Sequence, residues 1–129
     1  MTQAEFERLV EKVIAEIPDQ FSDRFENLVF VVERLPGCEL LAEAGLDVHE
    51  ELLGFYRGIP LDERSHDMTM QEPDMIYLFQ QAIEIEAAAC NLAIEQVVRE
   101  TVAHEVAHYF GFSEEYLEHF EDLWAKGQA

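Results

Sequence analysis

The chain has 129 residues, of which 49% are hydrophobic, and this is the length and composition of one ordinary domain with a single core. Its 28 acidic and 8 basic residues give a formal net charge of −20, so a nucleic-acid backbone or an anionic membrane surface would repel the protein. The charge therefore argues against nucleic acid and membranes as partners. The negative charge would attract cations, either a metal ion or basic peptides. Its simplest explanation, however, is a surface that keeps the protein soluble.

Two features of the sequence predict a cytoplasmic location. Cys38 and Cys90 are far apart and belong to no C-x-x-C pair, which is typical of buried free thiols in a reducing compartment. The first residues are acidic where a signal peptide is basic, and no apolar run is long enough to cross a membrane. The sequence leaves the oligomeric state open.

The chain begins with a predicted amphipathic helix, because apolar residues recur at helical spacing between Phe6 and Ile17. Thr2 and Glu5 are spaced as a capping box at its start. After the first predicted strand, the short stretch CELLAEAG suits either one helical turn or a loop.

Three short apolar segments predict strands. Leu28 to Arg34 is β-branched and ends before a proline, and ELLGFYRGIPL has the aromatic and aliphatic content of a second strand. Met75 to Phe79 predicts the third strand, which is either a sheet edge that aligns a peptide substrate or a plain core strand. The polar stretch Asp62 to Pro73 predicts a long loop at the rim of an active site.

The last third of the chain predicts two helices. An approximate helical stripe runs from about Ala88 to Phe110 without an internal glycine or proline, and Gly111 ends it. Ser113 is a suitable N-cap for the final helix, whose apolar residues indicate that it faces the core.

The first of these helices carries the sequence HEVAH at residues 104–108. His104 and His108 lie one turn apart on one face, so both imidazoles reach a single ion about 2.0–2.1 Å away. Glu105 is rotated from His104 by roughly 100°, which places its carboxylate beside the ion and within reach of an activated water. This is the general-base position of the H-E-x-x-H motif.

A third ligand is predicted from the residues that follow, because the full pattern is HExxHxxGxxE. A glycine at a helix C-terminus adopts the left-handed conformation, and the resulting turn at Gly111 presents Glu114 to the open side of the metal. Glu118 and Asp122 on the last helix are the competing ligands. The apolar spacing of that helix turns it towards the core and favours Glu114.

Other polar residues are weaker candidates for the site. His119 and His66 are more typical of surface or core polar residues than of groups that stabilise a transition state. Glu84, Glu86 and Asp74 are candidates to orient a ligand imidazole through its free N–H, but none stands out in so acidic a chain.

The extended motif resembles the metzincin pattern H-E-x-x-H-x-x-G-x-x-H/D, and the chain is similar to the small bacterial zincin-like metallopeptidase family. The similarity covers the N-terminal helix and the segments Leu52 to Leu61, Pro73 to Glu84 and Arg99 to Glu118. It implies one compact α+β domain over residues 1–129, a minimal zincin. Such a domain has an N-terminal helix, a small three-stranded sheet, the HExxH helix and a C-terminal helix.

The same resemblance implies Zn²⁺ as cofactor, held by His104, His108 and Glu114, with Glu105 as the catalytic base. We predict a zinc-dependent hydrolase, namely a metallopeptidase with a peptide or protein substrate. Two alternatives stay open. One is a zinc-binding module with a structural or regulatory role and no proteolysis, and the other is an interaction domain in which the motif arose by chance.

Overall fold

The computed structural model describes residues 1–43, 45, 52–60, 63 and 73–127. These residues confirm the predicted α+β fold class, with helices and a small three-stranded sheet. In chain order the elements are α1 (Gln3–Ala15), α2 (Asp19–Ser22), β1 (Leu28–Glu33), α3 (Cys38–Glu43), β2 (Gly54–Arg57), β3 (Asp74–Phe79), α4 (Gln80–Cys90), α5 (Ile94–Phe110) and α6 (Glu114–Gly127).

Helix α1 starts with the predicted capping box. The backbone N–H of Glu5 donates to the Thr2 hydroxyl at 3.1 Å, and the backbone N–H of Thr2 donates to the Glu5 carboxylate at 3.1 Å. The buried face of the helix presents Phe6, Val10 and Val13, and α1 packs against α5. Burial of this apolar stripe supplies the stability that a helix of this length lacks on its own.

The sheet has the strand order β1-β3-β2. Strand β3 runs parallel to β1, with Leu28 opposite Asp74, and antiparallel to β2, with Gly54 opposite Leu78. Because β3 is the middle strand and its Ile76 is fully buried, the prediction of a substrate-aligning edge at Met75 to Phe79 is wrong. The core-strand alternative is confirmed, and β2 forms the border of the sheet next to α5.

The helix predicted from about Ala88 begins later, at Ile94, and the chain before it forms the separate helix α4. Asn91 ends α4 in the left-handed conformation, with φ of 55°. Asparagine tolerates this conformation better than other non-glycine residues and acts as a helix C-cap. The prediction treated the segment as one helix because it contains neither glycine nor proline.

Helix α5 is the central helix of the fold and is covered on most of its circumference. Val98, Val102 and Val106 are fully buried at helical spacing, and α1, α4, α6 and the sheet pack around them. The Tyr109 hydroxyl accepts from the backbone N–H of Glu26 at 2.7 Å and donates to the Glu26 carbonyl at 3.0 Å. These bonds fix the last turn of α5, which carries the motif, to the chain just before β1.

Some predictions concern residues outside the described part of the chain. These are most of the predicted loop at residues 62–73, with His66, and the side chain of Cys38. Cys90 is a free thiol but is exposed at the end of α4, so the prediction that it is buried is wrong. No helix of the described residues is both long and apolar enough to cross a bilayer.

Candidate metal centre

The structure brings the two motif histidines and their glutamate together on α5. The rings of His104 and His108 have centroids 4.6 Å apart, as the spacing of one helical turn requires. A ligand atom from each of His104, Glu105 and His108 lies within 4.8 Å of the other two. Two imidazoles at this spacing are donors that suit zinc, and the carboxylate stands beside them.

Exposure differs sharply within this group. Both histidine side chains are exposed, whereas Glu105 is only 7% exposed. The rings therefore face open space that an ion and a substrate can enter, and the carboxylate stands against the packed side of the helix. Two exposed imidazoles and one buried carboxylate are expected when two residues bind a metal and the third acts as a base beside it.

Glu105 is an unusually basic carboxylate in this position. Burial raises its pKa from 4.5 to about 7, and a hydrogen bond from the backbone N–H of Tyr56 partly opposes the rise. A general base works best when its pKa lies near the working pH. In the metal-free protein Glu105 can therefore exchange a proton near neutral pH.

The environment of His108 favours the neutral imidazole. Desolvation lowers the pKa of His108, and the neighbouring His104 ring lowers it further. A histidine must be neutral to donate a nitrogen lone pair to a metal. Both effects favour the form of His108 that can donate to a cation.

Strand β2 reaches Glu105 through its main chain. The N–H of Phe79 donates to the carbonyl of Leu53 at 3.0 Å, so alternate residues from Leu53 onward pair with β3. Tyr56 belongs to the other set, whose N–H groups point away from β3. Its N–H is therefore directed to α5, where the Glu105 carboxylate accepts it.

Gly54 allows β2 to approach α5 this closely. A Cβ at this position would lie 2.7 Å from Cγ2 of Thr101 and 3.0 Å from the Tyr77 carbonyl oxygen. Both distances are shorter than a normal van der Waals contact, so a side chain here would collide with α5 at Thr101 and with β3 at Tyr77. The sequence signal was a glycine inside a strand pattern, which indicates a close backbone approach. Gly54 was not among the predicted site residues.

The predicted turn after α5 is present. Gly111 adopts the left-handed conformation with φ of 78°, and its N–H donates to the carbonyls of Ala107 and His108. The Ser113 hydroxyl then accepts from the N–H of Tyr116 at 3.2 Å, which confirms Ser113 as the cap of α6. Glu114 is the first residue of α6, but its side chain lies outside the described residues.

The competing ligands on α6 do not join the histidines. Glu118 and Asp122 are exposed, and among the described residues only the motif triad brings three such ligand atoms together. Phe120 and Trp124 face the core, as predicted for this helix. His119 is exposed and packs edge-on against Tyr116, with ring centroids 5.4 Å apart.

The three acidic residues considered as partners of the ligands have other contacts. Glu84 pairs with the Met1 ammonium at 3.3 Å, and buried Asp74 accepts from the Tyr56 hydroxyl at 2.6 Å. Glu86 accepts from the Cys90 thiol at 3.0 Å. The hydrogen bond from the Tyr56 N–H to Glu105 was not predicted from the sequence, because a main-chain donor leaves no signal in the residue type.

Comparison with known proteins agrees with this geometry. No curated protein matches the chain. The model of one protein family, described as zincin-like metallopeptidase, matches residues 25–124 and so covers the sheet, α5 and most of α6. The chain belongs to the zincin-like metallopeptidase family.

Proposed function

We propose that this protein is a zinc-dependent peptidase that works as one domain over residues 1–129. The observation that carries the proposal is the motif triad on α5, in which two exposed imidazoles stand beside a buried carboxylate with a pKa of about 7. Family membership supports the same function. The cytoplasmic location and the absence of nucleic-acid and membrane partners stay predictions.

Each proposed site residue has a distinct role. His104, His108 and Glu114 would hold the zinc ion, and Glu105 would act as the general base. Zinc held there would supply Lewis-acid chemistry: it would lower the pKa of water towards about 7 and polarise the scissile carbonyl. Glu105 takes the proton from the water and passes it to the leaving amine. The N–H of Tyr56 orients the Glu105 carboxylate for this transfer.

A peptide library tests the proposal directly. We expect the purified protein to contain about one equivalent of zinc and to cleave library peptides, with cleavage sites read by mass spectrometry. Removal of zinc with 1,10-phenanthroline should stop cleavage, and added zinc should restore it. Cleavage that resists the chelator would contradict the proposal. Bound zinc without any cleavage would instead identify a non-catalytic zinc module.

Zinc titration of three alanine variants tests the third ligand. We expect Glu114→Ala to weaken zinc binding by more than about tenfold, because losing a ligand costs at least as much as losing a residue that orients one. Glu118→Ala and Asp122→Ala are the matched controls and should bind zinc like the parent. Competition with a chromophoric chelator measures all three. Normal affinity in Glu114→Ala with loss in either control would place the ligand further along α6.

A further inference from the structure

An open groove of about 750 Å³ lies beside the motif triad, and both His104 and Glu105 line it. Along α5 the groove extends back through Thr101 and Glu100 to Val97. With about 1.5 Å of rise per residue, Val97 and His104 are roughly 10 Å apart along the helix axis. An extended peptide advances about 3.3 Å per residue, so the groove holds about three residues next to the proposed zinc.

The groove lining has two chemical parts. Apolar surface comes from the segment before β2, from the α4–α5 connection and from α5, and its residues are Leu52, Leu53, Leu92 and Val97. Carboxylates come from three different helices: Glu86 on α4, Glu100 on α5 and Glu121 on α6. An aliphatic chain that ends in a cation matches both parts, because its stem covers apolar surface while its charge reaches the acids.

The three groove carboxylates lack a cationic partner among the described residues. Glu86 accepts from the Cys90 thiol, and Glu100 accepts from the Gln96 side-chain amide at 3.3 Å, and neither neutral donor cancels the negative charge. The ion pairs of the described chain engage other acids. The groove therefore keeps a negative potential within a concave surface, where it acts most strongly on a ligand.

A second metal ion suits the groove less well than a basic side chain. Within the described part of the molecule, the oxygens of the three carboxylates do not converge within the spacing needed around one ion. Acids spread over three helices can instead surround an ammonium or guanidinium group, whose several donors point in different directions.

We propose that this groove is a specificity pocket that binds a lysine or arginine side chain of the substrate, close to the scissile bond. The proposal rests on the proposed peptidase function and adds the substrate class to it. Acidic residues at the same substrate position are repelled by the three carboxylates.

Binding and cleavage of matched peptides test the pocket. The probes are fluorescein-labelled heptapeptides of alanine and glycine with one central lysine, norleucine or glutamate. Norleucine keeps a lysine-like stem without the charge. We expect zinc-loaded Glu105→Gln protein to bind the lysine peptide about tenfold more tightly than the norleucine peptide, as for a hydrogen bond to a charged group. In the parent, kcat/KM for cleaved peptides should follow the same order.

Two triple variants of equal net charge separate the pocket from the general field of the protein. The first variant combines Glu86→Gln, Glu100→Gln and Glu121→Gln in the Glu105→Gln background. It should lose most of the lysine preference in the binding assay. The control changes exposed acids outside the groove, with Glu7→Gln, Glu11→Gln and Glu39→Gln, and should keep the preference.

The pocket would be overturned if both triple variants lost the lysine preference equally. It would also be overturned if the Glu105→Gln protein without a triple change showed no lysine preference. Tight binding of Ca²⁺ or Mg²⁺ that displaces the lysine peptide would overturn it as well. If no peptide is cleaved by the zinc-loaded parent, the peptidase proposal fails, and the binding assay still decides whether the groove selects a basic side chain.

Discussion

Replacing Glu105 by glutamine is expected to leave zinc in place and to lower peptide hydrolysis by at least about a hundredfold, the scale of general-base catalysis. Glutamine has nearly the same size and its carbonyl oxygen still accepts the hydrogen bond from the Tyr56 N–H, but it cannot take a proton. The measurement is kcat on a library-derived peptide together with zinc content per chain.

Two further variants make this result specific. His108→Ala removes a proposed ligand and should lose both zinc and hydrolysis, which separates metal binding from base catalysis. Glu95→Gln changes a carboxylate on the first turn of α5 that pairs with Lys12 and Arg99, and should keep zinc and turnover. Unchanged turnover in Glu105→Gln would show that another base, or a contaminating peptidase, performs the hydrolysis.

The same substitution is expected to stabilise the metal-free protein at alkaline pH. Burial raises the pKa of Glu105 from 4.5 to about 7, so the folded chain holds this proton more tightly than the unfolded chain. The contribution of this bound proton to the free energy of unfolding is complete below pH 4.5 and is lost as the pH rises through 7. Above that range the folded protein bears a cost of about 3 kcal/mol, since one pKa unit corresponds to about 1.4 kcal/mol.

Because glutamine is neutral at every pH, Glu105→Gln should raise the free energy of unfolding by about 3 kcal/mol at pH 8 and by less than about 1 kcal/mol at pH 5. Urea denaturation in EDTA measures both values. Glu11→Gln, which changes an exposed acid on α1, is the control and should show no such difference between the two pH values. A stabilisation that is equal at both pH values would contradict a titrating, buried carboxylate.

The arrangement of the motif could be predicted because it depends on one helix alone. Periodicity places His104 and His108 on one face, and the φ of 78° at Gly111 follows from the preference of glycine for the left-handed conformation at helix ends. The cap at Ser113 is equally local. Interactions over a few residues decide all of these features, so the sequence contains the information in a short stretch.

Features that depend on distant contacts were not predictable in this way. The break at Asn91 separates two segments that both favour helix, and only the packing of α4 and α5 decides where the chain turns. The middle position of β3 depends on which strands pair across the sheet. Likewise, Glu100 and Glu121 share a groove only because α5 and α6 pack together, and nothing in their separate segments indicates it.

The hydrogen bond from Tyr56 to Glu105 has a consequence for mutational studies, because its donor is a peptide group. Alanine scanning replaces side chains and leaves every N–H in place, so a scan of β2 would record the loss of the Tyr56 hydroxyl contact with Asp74 and miss the support of the base. Only proline, or an ester in place of the amide, removes that donor. Any residue other than proline at position 56 therefore keeps the main-chain hydrogen bond to Glu105. At position 54, by contrast, any side chain would clash with its neighbours.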